Sequence, residues 1–138
     1  MEHQAHKMRV ISTRVADIFK DENDVIHIVM NHHVIVDRED IADVNLVLRQ
    51  LSEGKPSLKV LDSRPAWDMS EDAKKYAEQM HNPVNTIARA ILTTSKISSL
   101  LFNFLQKFNS PAAPQRFFSD EKKAYKWLMK FKAGRKAA

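Results

Sequence analysis

The hydrophobic residues of this chain fall into short runs that suit β-strands and longer stripes with a helical period. Between residues 9 and 31, two extended segments flank a polar cluster at residues 21–24, whose turn-forming side chains predict a β-hairpin. The second segment, residues 25–30, is almost continuously apolar, as in strands that are covered on both faces. Residues 34–36 add a short extended piece before Asp37, which can cap a helix.

The first predicted helix carries an apolar stripe formed by Ile41, Val44, Val47, Leu48 and Leu51. Gly54 lies just past this stripe and can adopt the left-handed conformation that ends helices. Residues 58–62 alternate around a β-branched centre and predict a strand. Pro65 prevents further ladder pairing, so the strand should end in a loop.

A second helix is predicted directly after that loop. Asp68 or Ser70 can accept a hydrogen bond from its free N–H groups, and Glu71 and Asp72 place negative charge where the helix dipole favours it. The apolar face of this helix consists of Ala73, Tyr76, Ala77 and Met80. In an open α/β sheet, ligands and partners usually bind at such a junction of strand and helix.

Two more strand and helix units follow. Residues 84–94 predict an apolar strand interrupted by one charge, and its small Ala88 and Ala90 suit a helix lying close above it. Ser98 or Ser99 should open a third helix. Its stripe consists of Ile97, Leu100, Leu101, Phe104, Leu105 and Phe108, with Phe102 beside it.

The last unit is a short strand at residues 115–118 followed by a helix that Ser119 should cap. The side chains of this helix that should face the core are Ala124, Trp127, Leu128 and Phe131. The whole order predicts an α/β fold, in which a mixed, mostly parallel sheet has an N-terminal hairpin and four helices. At 138 residues we expect one domain over 1–138, with flexible ends at about 1–8 and 133–138.

The amino-acid composition argues against several classes of protein. Hydrophobic residues at 43% and charged residues at 28% are ordinary for a globular domain, which argues against a disordered or membrane protein. The absence of cysteine excludes disulfides, a thiolate nucleophile and a cysteine zinc site. Neither a signal peptide nor an apolar run of the ~20 residues that span a membrane is found, so we expect a cytoplasmic protein without a transmembrane segment.

The charges and histidines give few signs of chemistry. Much of the net charge of +5 lies near the C-terminus without a recognition motif, so we expect no specific binding of nucleic acid. His32 and His33 are adjacent and point to opposite faces of an extended chain, and His27 lies between two isoleucines in a strand. There is no nucleophile elbow and no glycine-rich loop. We therefore expect no metal site, no cofactor and no catalytic activity.

Several segments resemble the STAS domain, the SpoIIAA-like fold of bacterial anti-anti-sigma factors, within a broader set that includes Sec14-like domains. These segments are GKP before VLDSRP, the helix start DMSE, the stretch TTSKISSLLFNF and the closing FFSDEKKAYKWL. The last of them is similar to small bacterial SpoIIAA-like proteins of unassigned function. The resemblance covers residues 13–131 and implies a non-catalytic, regulatory domain that binds proteins.

In phosphorylatable STAS proteins, a hydroxyl at the helix start takes phosphate from a kinase. The resemblance places Ser70 at that position, with Asp68 as the preceding acid. Met69 stands where the family has a first hydroxyl, and Glu71 replaces the family's glycine. A plain helix cap is the alternative role for Ser70, since it precedes Glu71 and an apolar stripe.

Two functions remain open from the sequence. The first is contact with a protein partner or a second copy, through a surface formed by Arg64, Trp67, Asp68, Met69, Ser70, Glu71 and Phe102. Trp67 and Met69 are of types enriched in interfaces, and Arg64 adds a charge. The second is a carrier of a small apolar, lipid-like ligand, by resemblance to Sec14-type domains; this would need an internal cavity.

Overall fold

The computed structural model describes residues 8–82 and 85–137, and side chains as far as residue 132. The strands are β1 (Ile11–Ser12), β2 (Ala16–Lys20), β3 (Val25–Met30), β4 (Ile35–Val36), β5 (Ser57–Asp62), β6 (Asp68–Met69), β7 (Thr86–Leu92) and β8 (Gln115–Phe118). The helices are α1 (Arg38–Ser52), α2 (Glu71–Met80), α3 (Ser99–Gln106) and α4 (Glu121–Ala137). The predicted α/β order with four helices is confirmed.

Six strands form one mixed sheet in the order β1-β2-β3-β5-β7-β8. The first three are antiparallel neighbours, whereas β3, β5, β7 and β8 pair in parallel. The predicted hairpin and parallel part are therefore confirmed. The structure adds the short strand β1 and a separate parallel ribbon of β4 and β6, because two-residue strands leave no period in a sequence.

Helices cover both faces of the sheet. On one face, α1, α2 and α3 contribute side chains to a core that includes Ile28, Leu61 and Ile91 of the sheet. On the other face, α4 packs against Ala88 and Ala90 of β7, as their small size predicts. Adjacent side chains of a strand point to opposite faces, so each central strand contributes to both cores.

The helix starts agree with the sequence in three cases and disagree in one. Asp37 caps α1, where its side chain accepts a hydrogen bond from Arg38 N. The Ser70 hydroxyl accepts a hydrogen bond from Ala73 N, and the Ser98 hydroxyl accepts one from Leu101 N. The prediction that Ser119 caps α4 is wrong, because the Asp120 carboxylate accepts from Lys122 N at 2.8 Å. An aspartate one residue later fulfils the same capping role.

The end of α1 lies at the predicted place. Glu53 and Gly54 both have positive φ angles, 55° and 77°. Their N–H groups donate to the last carbonyls of the helix, from Glu53 to Gln50 O and from Gly54 to Arg49 O, which satisfies acceptors that would otherwise lack a partner. No other atoms lie within 4 Å of a Cβ built on Gly54, so conformation and not space favours glycine here.

The described part of the chain ends near both predicted flexible segments. Residues 1–7 lie outside the described residues, and Met8 is the first that the structure places. At the other end, the backbone of α4 stays helical to Ala137. Flexibility of residues 1–8 and 133–138 therefore stays a prediction.

The turn of the first hairpin is tied to α4 by a polar cluster. The Asp21 carboxylate lies 2.9 Å from His27 Nε2 and accepts a hydrogen bond of 2.6 Å from the Tyr125 hydroxyl. These bonds to His27 and Tyr125 outweigh the opposing effect of burial and lower the pKa of Asp21 to about 2. His27 also stacks on Phe19, so it is a hydrogen-bonded histidine within the sheet, as predicted.

Leu100 departs from its predicted place in the core stripe of α3. It is 72% exposed and lies in the first turn of the helix, at the edge of the face formed by the buried Leu101, Phe104 and Leu105. In α1, only Val47 of the predicted stripe is fully buried, and Ile41, Val44, Leu48 and Leu51 are partly exposed. This incomplete burial is the first sign that α1 does not close tightly on the sheet.

We predict that Leu128→Ala lowers the free energy of unfolding by about 3 kcal/mol, because Leu128 is fully buried between α4 and the sheet. Chemical denaturation followed by circular dichroism measures the change. Lys126→Ala, on the exposed side of the same helix, should change it by less than about 0.5 kcal/mol. Equal effects of the two substitutions would contradict the docking of α4.

Candidate functional site

A cavity of about 840 Å³ lies between the sheet and the helices on its three-helix face. Its walls come from α1 and α2, its floor from β3, β5 and β7, and its far side from α3. The partly exposed stripe residues of α1 and α2, including Val44, Leu48, Tyr76 and Ala77, line it. Ligand cavities in proteins commonly have volumes of roughly 300–1,000 Å³, so this one is large enough for a small molecule.

The two ends of the cavity differ in polarity. Because β5 and β7 are parallel, their amino ends lie at the same edge of the sheet. At that edge the lining is polar and comes from Ser52, Lys59, His81, Asn82, Asn85, Thr86 and Arg89. Toward the carboxyl ends it is apolar and comes from Val15, Met30, Val36, Leu61, Trp67 and Met69. The cavity therefore has an amphipathic lining with a cationic end.

Lys59 and Arg89 are cross-strand neighbours at the polar end. They are register partners on β5 and β7 and both line the cavity. Lys59 is only 6% exposed, and its Nζ donates to Asn85 O at 2.9 Å and to Thr86 Oγ1 at 2.8 Å. Arg89 donates from Nε and Nη2 to the amide oxygen of Gln115. All of these acceptors are neutral.

Neither cation is compensated by an acidic side chain within the part of the chain that the structure describes. The ion pairs found there involve other residues. Burial lowers the pKa of Lys59 to about 8, with a further contribution from the charge of Arg89. Burial likewise lowers the pKa of Arg89 to about 10. A buried Lys59 beside a partly buried Arg89 is unfavourable unless a negative group joins them.

His81 adds a third titratable group at this end. Its pKa is lowered first by burial and then by the positive charges of Arg89 and Lys59. Its ring packs on Phe108, 4.7 Å between centroids, and the Arg89 guanidinium lies 5.8 Å from the same Phe108 ring. The polar end thus combines positive charge with an aromatic wall.

We also searched the described residues for a metal site and for a membrane-spanning helix. Among residues 8–82 and 85–137, no three His, Asp or Glu side chains converge as metal ligands would. His32 and His33 are exposed, with ring centroids 6.1 Å apart. None of the helices over this part of the chain is long and apolar enough to cross a membrane.

Comparison with known proteins defines the family of this domain. Residues 19–132 match the family described as Domain of unknown function (DUF7793). The chain belongs to this family. No curated protein matches its sequence.

Among solved structures, the fold is similar to that of an uncharacterised protein of the DUF3478 family from Shewanella loihica PV-4, described as having a SpoIIAA-like fold. The TM-score is 0.52 at 15% sequence identity, and the match covers 88% of this chain and 91% of the other. The DUF7793 chain therefore has a SpoIIAA-like fold, as the sequence resemblance implies.

In this DUF7793 domain, the residues of the predicted partner surface divide into separate environments. The Arg64 guanidinium is paired with Asp62, at 2.9 and 2.7 Å, and lies 3.4 Å from Glu121. Trp67 and Met69 are partly buried against the core and line the cavity. Arg64 is therefore engaged with two carboxylates of the domain, whereas Trp67 and Met69 contribute to the cavity.

The remaining residues of that set lie at the surface or on other elements. Asp68 and Glu71 are exposed. The Ser70 hydroxyl donates to Asp37 Oδ1 at 2.9 Å while it caps α2, so it joins the starts of α1 and α2. Phe102 is partly buried with its ring 4.5 Å from that of Phe117.

Lys59 and Arg89 were not predicted as site residues. The alternation of residues 58–62 suggests a strand with one exposed face, whereas every residue of β5 is buried. The available signal was a charge inside each of two apolar strands, because a buried charge is rare without a function or a partner. Only the parallel register, which sequence alone does not specify, places the two charges side by side.

We predict that Lys59→Met stabilises the protein most at pH 7 and progressively less as the pH rises from 8 to 10.5. The pKa of Lys59 is about 8 when folded and 10.5 as an ordinary lysine, so between these values the unfolded state binds more protons and the wild type gains stability with pH. The difference between variant and wild type should shrink by about 3 kcal/mol over this range.

Denaturant unfolding at several pH values measures this difference. Lys75→Met removes an exposed lysine of α2 and should show no such trend. A stability difference for Lys59→Met that is constant with pH would contradict the burial of this charge.

Proposed function

We propose that this domain is a non-catalytic binding module that holds a small apolar ligand in the cavity of its three-helix face. The observation that carries the proposal is the cavity itself. Protein interiors are normally packed about as densely as organic crystals, yet here a partly open space of about 840 Å³ lies between the apolar faces of α1 and α2 and the sheet. The carrier function that the sequence left open as an alternative needs such a space.

The arrangement of the helices supports this proposal. The starts of α1 and α2 are held together by the hydrogen bond from the Ser70 hydroxyl to Asp37 and by the ribbon of β4 and β6. The ends of these helices lie over the polar end of the cavity, where Met80 and His81 are exposed. We therefore expect a ligand to enter at this exposed end.

We predict that the neutral dye N-phenyl-1-naphthylamine binds with one site per chain and becomes fluorescent. Ala77→Phe places a ring in the cavity from α2 and should weaken binding about tenfold, which corresponds to about 1.4 kcal/mol. Gln79→Phe adds the same ring at an exposed position of that helix and should leave the affinity unchanged. Fluorescence titration measures both affinities.

Thermal unfolding verifies that the Ala77 variant is folded, and Ala42→Phe on α1 is a second way of filling the space. If the wild-type protein does not increase the fluorescence of the dye at any protein concentration, the proposal is overturned. Equal dye binding by the cavity-filling variants and Gln79→Phe would also overturn it.

A second candidate function is contact with another protein at the carboxyl edge of the sheet. The observation that favours it is exposed apolar surface there: Ile35 is 63% exposed in the β4–β6 ribbon, beside Asp68, and Leu100 is 72% exposed at the start of α3. The exposed carboxylates of Asp68 and Glu71 and the Ser70 cap border this surface. Asp68, Ser70 and Glu71 belong to the partner surface predicted from the sequence, whereas Ile35 and Leu100 do not.

We expect a photoreactive benzoylphenylalanine at position 35 to cross-link to a protein in living cells. The same group at Gln50, an exposed position near the opposite end of α1, should give no adduct. Mass spectrometry of the adduct distinguishes a second copy of the chain from a different protein. Absence of any adduct at position 35, with the variant folded and expressed, would count against this second function.

A further inference from the structure

The buried Lys59 and the partly buried Arg89 indicate more than an apolar ligand. A cavity that only held hydrocarbon would gain nothing from charge, and burying a cation without a negative partner costs free energy. Lys59 and Arg89 nevertheless both line the cavity, side by side on neighbouring strands. Their position has an explanation if the ligand brings the negative charge.

We propose that the cavity binds a single-chain amphiphile with an acidic head. Its carboxylate or phosphate group lies against Lys59 and Arg89, and its hydrocarbon chain extends between α1 and the sheet toward Trp67 and Met69. This inference rests on the proposed function, since it names the ligand class of the same cavity.

The hydrogen-bonding capacity of the two cations supports an anionic head. A lysine ammonium has three donors, and two of those of Lys59 are used, by Asn85 O and Thr86 Oγ1. An arginine guanidinium has five donors, and Arg89 uses two of its groups on Gln115. Each cation therefore keeps donors for an oxyanion, and arginine is suited to bidentate binding of carboxylate or phosphate.

The guanidinium is also held in position before any ligand arrives. The Gln115 amide oxygen accepts from Arg89, while the Gln115 amide nitrogen donates to Leu105 O at 2.7 Å. The Phe108 ring lies near the same guanidinium. Gln115 is thus a positioning residue, because it fixes the direction of Arg89 without itself lining the cavity.

The orientation of the ligand follows from the parallel strands. Lys59 precedes Leu61 along β5, and the loop after β5 carries Trp67 before β6 carries Met69. The lining therefore changes from cationic to apolar in the direction of the strands. A molecule with charge at one end and hydrocarbon at the other matches this gradient, whereas a uniformly polar or uniformly apolar molecule does not.

The test compares ligands that share one hydrocarbon chain. Palmitic acid, monohexadecyl phosphate and hexadecanol each compete with N-phenyl-1-naphthylamine for the wild-type protein. Inorganic phosphate and acetate test the head groups without a chain. We expect palmitic acid or monohexadecyl phosphate to displace the dye at a concentration at least tenfold lower than hexadecanol, with little effect of the two free anions.

Substitutions of Lys59 and Arg89 test whether these two cations cause the preference for an acidic head group. Lys59→Met and Arg89→Met should each bring the affinity of the preferred acid close to that of hexadecanol while the affinity for hexadecanol changes little. Arg116→Met is the matched control, because Arg116 is the exposed neighbour of Gln115 on β8 and does not line the cavity. The wild-type comparison needs no variant, so it remains decisive even if one variant does not fold.

The outcomes separate this inference from the proposed function. Equal binding of hexadecanol and both acids by the wild type would overturn the acidic head but leave the apolar cavity. Binding of neither the dye nor any long chain would overturn both. Binding of free phosphate as tightly as monohexadecyl phosphate would show an anion site without a chain and would also contradict the amphiphile.

Discussion

The parallel register of β5 and β7 is the constraint on which the cavity of this domain depends. It places Lys59 opposite Arg89 and Leu61 opposite Ile91, so two charges and two apolar side chains follow one another beneath the same helices. A shift of either strand by one residue would turn its charge toward α4, into the apolar cluster that contains Ala88, Ala90 and Leu128, and away from the other charge. The register of β5 and β7 therefore determines which residues give the cavity its polar end.

The two faces of the sheet differ in how closely their helices pack. On the α4 face, small side chains of β7 allow close approach of the helix, and Ala124 and Leu128 are fully buried. On the other face, α1 and α2 contact the sheet mainly through residues that are only partly buried. Stability can come from the tightly packed side, so the other side can keep a cavity.

The sequence predicts the parts of this fold that depend on local chemistry. The hairpin turn, the end of α1 at Gly54 and the caps at Ser70 and Ser98 follow from residues within one turn of each other. Asp120 replaces Ser119 as a cap because two neighbouring residues of similar type compete for one position. Residues 34–36 are predicted as extended, but the pairing of β4 with β6 escapes prediction because it forms only through tertiary contact.

The candidate site is harder to predict because its residues meet only after the sheet has formed. Lys59 and Arg89 lie 30 positions apart in the chain, and an alternating pattern cannot distinguish a lysine that faces water from one that faces a cavity. Likewise, the stripe of Ile41, Val44 and Leu48 is the same whether α1 closes on the sheet or stands away from it. Helical periodicity reports which side faces inward and not how closely it packs.

The segment from Trp67 to Ser70 connects the cavity to the surface. Trp67 and Met69 line the apolar end of the cavity, while Asp68 between them is exposed and Ser70 bonds to Asp37 at the start of α1. A ligand chain that packs against Trp67 and Met69 therefore acts on the same four residues that border the exposed carboxyl edge. If ligand and protein partner both bind, and one favours a particular position of this segment, each must change the affinity of the other by the same factor. Measuring the affinity of one in the presence of the other would then report that coupling directly.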